Sequence, residues 1–123
     1  MARADRLEGP WQVLAPFCIG RANYWDDWHT STGPIWQPED DLPVMFYNGA
    51  DRSAHWRISW LTMDESYTRV DRRAEHPLII PPVPTGDATD IAFASSCIGE
   101  DGVVHLYYSI ADRDMVRATM RPV

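Results

Sequence analysis

Ten prolines and seven glycines are spread over most of the chain, and this distribution limits the regular structure that the sequence can form. Proline lacks an amide hydrogen and clashes with the preceding helical turn, while glycine weakens a helix interior. Few stretches reach a dozen residues without one of them, so the sequence does not predict long helices. Short runs rich in valine, isoleucine and aromatic residues lie between these breakers, and such runs are typical of β-strands.

The first group of predicted strands lies between residues 43 and 71. Residues 43–49 form an apolar run that ends in an Asn-Gly pair, and residues 55–62 form a second run after the loop 50–54. In the second run the side chains alternate between an apolar face at 56, 58 and 60 and a mixed face, which is the period of a half-buried strand. The two runs predict a hairpin, and residues 68–71 predict a third, edge strand.

A second group of predicted strands follows the proline-rich stretch 77–84. Residues 91–98 and 103–109 flank the sequence Gly-Glu-Asp-Gly at 99–102, which is typical of a hairpin turn. Residues 115–120 predict a third strand after the polar turn 111–114. Upstream of both groups, residues 11–19 and 31–36 are further strand candidates.

The two groups form a weak internal repeat of strand, turn, strand, loop and strand. Antiparallel units of this kind, about 40–45 residues long, are typical of β-propeller blades. We therefore predict an all-β fold of one domain, residues 1–123, with a first blade-like unit at about 25–76 and a second at 77–123. Since closed propellers have about four blades or more, we expect these two four-stranded meanders to be completed by oligomerisation.

Charge and composition exclude several classes of function. The 18 acidic and 11 basic residues give a net charge of −7, which would repel a nucleic-acid backbone. No apolar run approaches the roughly 20 residues of a membrane span, and residues 1–9 lack the apolar segment of a signal peptide. Cys18 and Cys97 have no metal-binding or redox spacing, so we expect two reduced thiols in a cytoplasmic protein rather than a disulfide.

Aromatic and acidic side chains are concentrated in residues 25–36, which include Asp26 and the candidate site residues Asp27, Trp28 and His29. Carboxylates accept hydrogen bonds from sugar hydroxyls, and indole rings pack against the apolar faces of pyranose rings. One interpretation is therefore a sugar site. The alternative is that the tryptophans pack in the core and the acids are solvated.

Three further residues carry candidate chemistry. Arg57 can clamp an anion or a carboxylate through two hydrogen bonds, although an arginine on a strand face is more often solvated or paired. Asp87 and Asp90 can form the carboxylate pair of a glycosidase, or they can be turn-forming residues. The histidines show no metal-ligand spacing, so no metal site is predicted.

The order of four short motifs resembles a known enzyme family. They are Val-Met-Phe-Tyr-Asn-Gly-Ala at 44–50, Trp-Arg-Ile at 56–58, Gly-Asp at 86–87 with Ile-Ala-Phe at 91–93, and Leu-Tyr-Tyr at 106–108 with Ala-Asp at 111–112. From about residue 25 to 120 the chain resembles the C-terminal part of glycoside hydrolase family 130, the β-mannoside phosphorylases and related mannosidases. The resemblance implies a five-bladed propeller with its active site in the central funnel.

The resemblance also implies roles for individual residues. Asp87 stands where the family has an acidic residue that contacts the sugar, and Asn48 stands where the family has a phosphate-facing histidine in Tyr-His-Gly. This replacement argues against phosphorolysis, although His29 is a candidate substitute and inorganic phosphate a candidate co-substrate. The family's general acid belongs to an N-terminal blade that has no counterpart among these residues. The resemblance thus implies part of a sugar pocket without its proton donor.

Three functions follow as alternatives. The chain acts on mannose-type glycosides as part of an assembled homo-oligomer, or it is a non-catalytic module that binds a small carbohydrate ligand. The third alternative is a structural or interaction protein derived from a propeller remnant. Product formation would indicate the first function. Saturable sugar binding without product would indicate the second, and the absence of both would indicate the third.

Overall fold

The computed structural model of the chain describes residues 1–121, and within this range the backbone forms ten β-strands in three sheets. No helix in the described range is long and apolar enough to cross a membrane. In chain order the strands are β1 Ala2–Arg3, β2 Gln12–Val13, β3 His29–Ser31, β4 Ile35–Trp36, β5 Val44–Ala50, β6 Trp56–Met63, β7 Val70–Arg73, β8 Ala92–Glu100, β9 Val103–Ile110 and β10 Asp114–Met120.

The first sheet contains β3 to β7 and is antiparallel. Strands β3 and β4 pair with the two ends of β5, which pairs with β6, and β6 pairs with β7. Ala50 lies opposite Trp56, so a five-residue loop at 51–55 connects the central hairpin, close to the predicted loop. Strand β7 begins two residues later than predicted, because Asp64 organises the preceding turn through bonds to the Thr68 and Arg69 amides.

The second sheet is the simple meander β8–β9–β10. Glu100 lies opposite Val103, and the two residues between them, Asp101 and Gly102, have φ angles of 50° and 71°. This is the left-handed geometry that two-residue hairpins adopt, and it confirms the predicted turn. A bulge between Ala94 and Ser96 shifts the register of β8 against β9.

The two sheets share one hydrophobic core, which we call the inter-sheet core. Its buried members come from β5 and β6 on one side and from β8 and β9 on the other: Phe46, Ile58, Ala92, Ala94, Val104, Leu106 and Tyr108. The indole of Trp36 packs so closely over Gly99 that a Cβ there would collide with it. Apolar faces of stacked sheets exclude water in this way, and the burial stabilises the pair.

The opposite face of the first sheet is also covered. Its buried members, which we call the outer cluster, are Met45, Tyr47, Leu61 and Met63. Phe17, Cys18 and Trp25 of the N-terminal segment pack against this cluster. The prediction of a half-buried β6 is therefore wrong, since both of its faces are buried between Ile58 and Met63 except at Trp60, which is partly exposed. The second face of β6 is buried because the N-terminal segment, which is distant in sequence, packs against it.

The upstream strand candidates form less regular structure than predicted. Within residues 11–19 only Gln12–Val13 is a strand, and within 31–36 the short strands β3 and β4 flank a break at Gly33 and Pro34. The break follows from proline chemistry, because Pro34 has no amide to donate and instead accepts a bond from the Phe46 amide. Both cysteines are free thiols, as expected.

Each of the two larger sheets lies within one of the predicted units. The first sheet lies within residues 25–76 and the second within 77–123, but the division into two units stays a prediction. Pro122 and Val123, at the end of the second unit, lie outside the described residues. The cytoplasmic location also stays a prediction.

Candidate functional site

The two sheets meet along a line of backbone pairs at one end of the molecule. His29 pairs with Ala50, Ala50 pairs with Trp56, and Trp56 forms a parallel bridge with Ile91 just before β8. The Trp56 amide donates to the carbonyl of Asp90 at 3.2 Å. Residues from four separate parts of the chain are thereby brought to the same place, which we call the junction.

Aromatic rings cover the junction. The ring centroids are 3.9 Å apart for Trp28 and His29, 6.4 Å for His29 and Trp56, and 5.4 Å for Trp56 and Phe93. Trp28 is 45% exposed and His29 is also exposed. We call these four residues the aromatic row. The sequence had placed Trp28 and His29 in a candidate site, and the structure adds Trp56 and Phe93.

Arg57 lies beside the aromatic row and holds the carboxylate of Asp90. Its two terminal nitrogens donate to the two Asp90 oxygens at 2.8 Å each. One of them also donates to the carbonyls of Trp56 and Asp90. Arg57 is therefore paired with a carboxylate of the same chain, which is the alternative that the sequence left open, and its contact with a ligand stays a prediction. The clamp fastens the start of β6 to the residue that precedes β8.

A histidine and a second carboxylate continue this network. The Nδ1 atom of His55 lies 2.9 Å from Asp51 Oδ2, and its Nε2 atom lies 3.9 Å from Asp90 Oδ2. Burial acts to raise the pKa of Asp51, but hydrogen bonds from His55 and from the Ser53 amide outweigh it and lower the pKa. Asp51 is accordingly held in its ionised form.

Asp27, the acid that the sequence singled out beside Trp28, pairs with Arg52 at 3.1 Å. Each of the three carboxylates around the aromatic row thus has a cationic or histidine partner: Asp27 with Arg52, Asp51 with His55, and Asp90 with Arg57. Each of these carboxylates is therefore already hydrogen-bonded to a side chain of the same chain.

Asp26 has a different role from its neighbour. Its side chain is fully buried, and its carboxylate accepts bonds from Arg21, from Arg73 and from the hydroxyl of Tyr47. Burial is the main cause that raises the pKa of Tyr47 to about 12, so its hydroxyl keeps the proton that it donates. The sequence had grouped Asp26 with the sugar-site candidates. The structure instead places it under the N-terminal segment, where it fixes that segment to β5 and β7.

Asn48 is buried between the two sheets. Its Oδ1 atom accepts the Ala94 amide at 2.7 Å, and its Nδ2 atom donates to the carbonyls of Ala94 and Thr32 at 3.5 Å each. Ala94 lies at the bulge of β8, where the amide is displaced from the regular ladder. These bonds give Asn48 a structural role, and contact with a ligand stays a prediction for this residue.

Asp87 is exposed in a turn after the proline-rich stretch. Gly86 precedes it with a φ angle of 66°, and the Ala88 amide closes the turn on the Thr85 carbonyl at 3.3 Å. The carboxylate of Asp90, three residues later, is hydrogen-bonded to Arg57. The role of Asp87 in sugar contact stays a prediction. Among residues 1–121 no group of three metal-ligating side chains is close enough to hold an ion.

Four depressions of the described surface lie away from the aromatic row. Depressions of about 500 and 530 Å³ lie around residues 37–43 and 64–71, and one of about 670 Å³ lies in the N-terminal hairpin. A small cavity of about 50 Å³ adjoins the outer cluster near Cys18 and Thr30. The aromatic row differs from these depressions, because its exposed indole and imidazole rings can stack on a ligand, which an open polar groove cannot do.

Comparisons with known proteins bear on the fold. No protein-family profile and no curated protein sequence matches the chain. Among solved structures, the chain is similar to a β-1,2-mannobiose phosphorylase from Listeria innocua in complex with β-1,2-mannobiose, with 23% identity and a TM-score of 0.78 over 92% of this chain and 32% of that one. It is also similar to a glycosyl hydrolase from Bacteroides ovatus, with 21% identity and a TM-score of 0.70 over 95% of this chain and 35% of that one.

These similarities confirm the predicted fold. The all-β architecture with antiparallel sheets corresponds to a fragment of propeller-like glycosidases. The chain spans about a third of the length of the solved structures that it matches. Fold similarity alone does not transfer an activity, which depends on the residues of the site.

Proposed function

We propose that this chain binds a small carbohydrate of the mannose type at the aromatic row. The observation that carries the proposal is the exposure of Trp28, 45%, next to His29 and Trp56 at the junction of the two sheets. A row of neighbouring aromatic rings, one of them an exposed indole, offers a broad apolar surface, and a pyranose ring has a matching apolar face. The surrounding carboxylates and His55 supply groups that pair with sugar hydroxyls.

Binding without turnover agrees best with the pairing of the carboxylates. Glycoside hydrolysis needs one carboxyl that donates a proton and a second that acts as nucleophile or base. Asp27 and Asp90 are each held by an arginine. The preference for mannose rests on the resemblance described above and on the Listeria protein, whose structure contains β-1,2-mannobiose.

The test is a titration of tryptophan fluorescence with β-1,2-mannobiose, confirmed by calorimetry. We expect saturable binding with a dissociation constant on the order of 0.1–1 mM, typical of a shallow site with few stacking contacts. Trp28→Ala should weaken binding about tenfold, because the main stacking surface is removed. Trp11→Ala is the matched control, since Trp11 is 56% exposed in the N-terminal hairpin away from the junction. Absence of saturable binding, or equal effects of the two substitutions, would refute the proposal.

Turnover of mannosides is the second candidate, and the similarity to the Listeria phosphorylase over 92% of this chain favours it. Under this second candidate, the chain consumes β-1,2-mannobiose, and the rate depends on the phosphate concentration if inorganic phosphate is the co-substrate. Asp87→Ala should then abolish product formation while leaving the melting temperature unchanged, since Asp87 is exposed in a turn. No product above a blank, with Asp87→Ala identical to the parent chain, would exclude catalysis by the chain alone.

A further inference from the structure

Strand β10 is the long open edge of the second sheet. It spans seven residues, Asp114–Met120, and pairs with β9 on one side only. Within residues 1–121, no hydrogen bond joins its backbone to any strand or loop other than β9. Every second residue of an edge strand directs its N–H and its carbonyl away from the sheet. The strand therefore offers a row of backbone donors and acceptors to a further strand.

The other sheet edges are short or covered. The edge strands of the other two sheets have two to four residues each. At the other edge of the second sheet, the side chain of Asn48 binds the N–H and the carbonyl of Ala94 in β8. Proteins commonly shield an edge with proline, a bulge or a short strand. Strand β10 has none of these, since it lacks proline and its register against β9 is unbroken.

The charge along this edge is opposite to that of the whole molecule. Residues 113–121 contain three exposed arginines, Arg113, Arg117 and Arg121, and a single acid, Asp114. A further acid, Asp112, lies in the preceding turn, and the chain as a whole carries a net charge of −7. Because side chains alternate along a strand, positions four residues apart share a face. One face of the edge is therefore basic and attracts acidic side chains.

The opposite face of β10 is apolar. Val116, Ala118 and Met120 alternate with the residues of the basic face and pack against the inter-sheet core. All three are only partly buried. A further strand at this edge would place its own apolar side chains beside them. The edge thus fits a segment in which acidic and apolar residues alternate.

The same charges disfavour a second copy of this chain at the edge. Two β10 strands paired antiparallel over their full length are centred on Arg117, which then lies opposite its own copy. The same register brings Arg113 opposite Arg121. Like charges directly opposite each other destabilise a strand pair. The arginines therefore oppose self-pairing and favour an acidic strand.

We propose that β10 binds an extended segment of a partner protein in which acidic and apolar residues alternate. The segment adds a fourth strand to the second sheet. Hydrogen bonds between the two backbones supply the affinity, and Arg117 selects for acidic side chains. This site is separate from the sugar site proposed above, because the aromatic row contains no residue of β10.

The test is the fluorescence anisotropy of a labelled, end-blocked peptide of eight residues in which glutamate and valine alternate. We expect saturable binding that Arg117→Glu weakens about fivefold or more, because an opposite-charge pair becomes a like-charge pair. Arg6→Glu is the matched control, since Arg6 is exposed in the N-terminal hairpin, and it should leave binding unchanged. A peptide with lysine in place of glutamate should bind Arg117→Glu more tightly than it binds the parent chain or Arg6→Glu.

Two methylated peptides distinguish strand pairing from attraction between charges. One carries N-methyl groups on the backbone of its valines and the other on the backbone of its glutamates. Only one of these two sets of N–H groups faces β10 in a paired strand. One peptide should therefore bind at least about tenfold more weakly than the other, because several backbone hydrogen bonds are lost.

Circular dichroism identifies any variant that loses the β-fold. The inference is overturned by the absence of saturable binding up to about 1 mM, by equal effects of Arg117→Glu and Arg6→Glu, or by equal binding of the two methylated peptides. A dimer of the parent chain that the peptide displaces in sedimentation velocity would also overturn it, since the edge would then belong to a second copy. None of these results depends on sugar binding.

Discussion

At the scale of single residues, buried polar side chains hold this structure in register. The side-chain amide of Asn48 forms hydrogen bonds with the backbone N–H and carbonyl of Ala94, which belongs to the other sheet. Asp26 accepts bonds from two arginines and a tyrosine beneath the N-terminal segment. A polar group buried without such partners destabilises a fold by more than the bond itself contributes. Their substitution is therefore expected to have larger effects than substitution of the exposed acids.

Asn48→Ala should lower the free energy of unfolding by about 2–3 kcal/mol, because the Ala94 amide is left buried without an acceptor. The measurement is urea denaturation followed by tryptophan fluorescence. Gln12→Ala, at an exposed position of β2, should change the same quantity by less than about 0.5 kcal/mol. Equal effects of the two substitutions would show that Asn48 does not connect the sheets.

Asp64 provides a prediction for pH dependence. Hydrogen bonds, first from the Ser66 hydroxyl and then from the Arg69 and Thr68 amides, lower the pKa of Asp64 to about 2. A carboxyl whose pKa is lower in the folded chain than in the unfolded chain stabilises the fold above its unfolded pKa of about 3.9. This contribution is lost as the pH falls towards about 2.

The melting temperature of the parent chain should therefore fall more steeply than that of Asp64→Asn between about pH 4 and pH 2. Asparagine keeps the side-chain oxygen that accepts the amide bonds but does not titrate. Glu65→Gln, an exposed neighbour, should follow the parent curve. Parallel curves for the parent and Asp64→Asn would contradict this account of the β6–β7 turn.

At the scale of strands, the junction depends on the clamp between Arg57 and Asp90. It joins β6 to the residue before β8, where Trp56 and Ile91 form the bridge between the sheets. Both side chains are largely buried, so the pair is less screened than an ion pair at the surface. Its two parallel hydrogen bonds also fix the orientation of Arg57 relative to Asp90. This holds Trp56, the neighbour of Arg57 in the aromatic row, next to the start of β8.

A double-mutant cycle of Arg57→Ala and Asp90→Ala should give a coupling free energy of about 1–2 kcal/mol. The same cycle on Arg52 and Asp27 should give less than about 0.5 kcal/mol, because Arg52 is 78% exposed. Chemical denaturation of the single and double variants supplies the values. A coupling at Arg57 and Asp90 no larger than that of the exposed pair would contradict a role in joining the sheets.

At the scale of the whole molecule, the N-terminal segment completes the fold by covering the outer cluster. The indole of Trp25 stacks on Tyr47 with 5.7 Å between the ring centroids and donates to the Glu75 carbonyl at 3.1 Å. Without this cover, the outer cluster would be exposed to water.

Deletion of residues 1–25 should therefore lower the free energy of unfolding by about 3 kcal/mol or more and induce binding of a hydrophobic dye, because Phe17, Cys18 and Trp25 are removed. Deletion of residues 1–16 retains these three side chains and should change stability much less. Thermal unfolding and dye fluorescence measure both effects. Similar behaviour of the two truncated chains would mean that the contacts of residues 17–25 do not stabilise the first sheet.

The sequence by itself determined the strands after residue 43, since their alternation, β-branched residues and turns act locally. The Asp-Gly turn at 101–102 was predictable because its backbone geometry suits these residues. Only the tertiary structure decided which faces are covered and which charges are paired. The burial of β6 on both faces, the partner of Arg57 and the assembly of the aromatic row all depend on contacts between distant segments. Local patterns do not encode such contacts, because they arise only when the sheets stack.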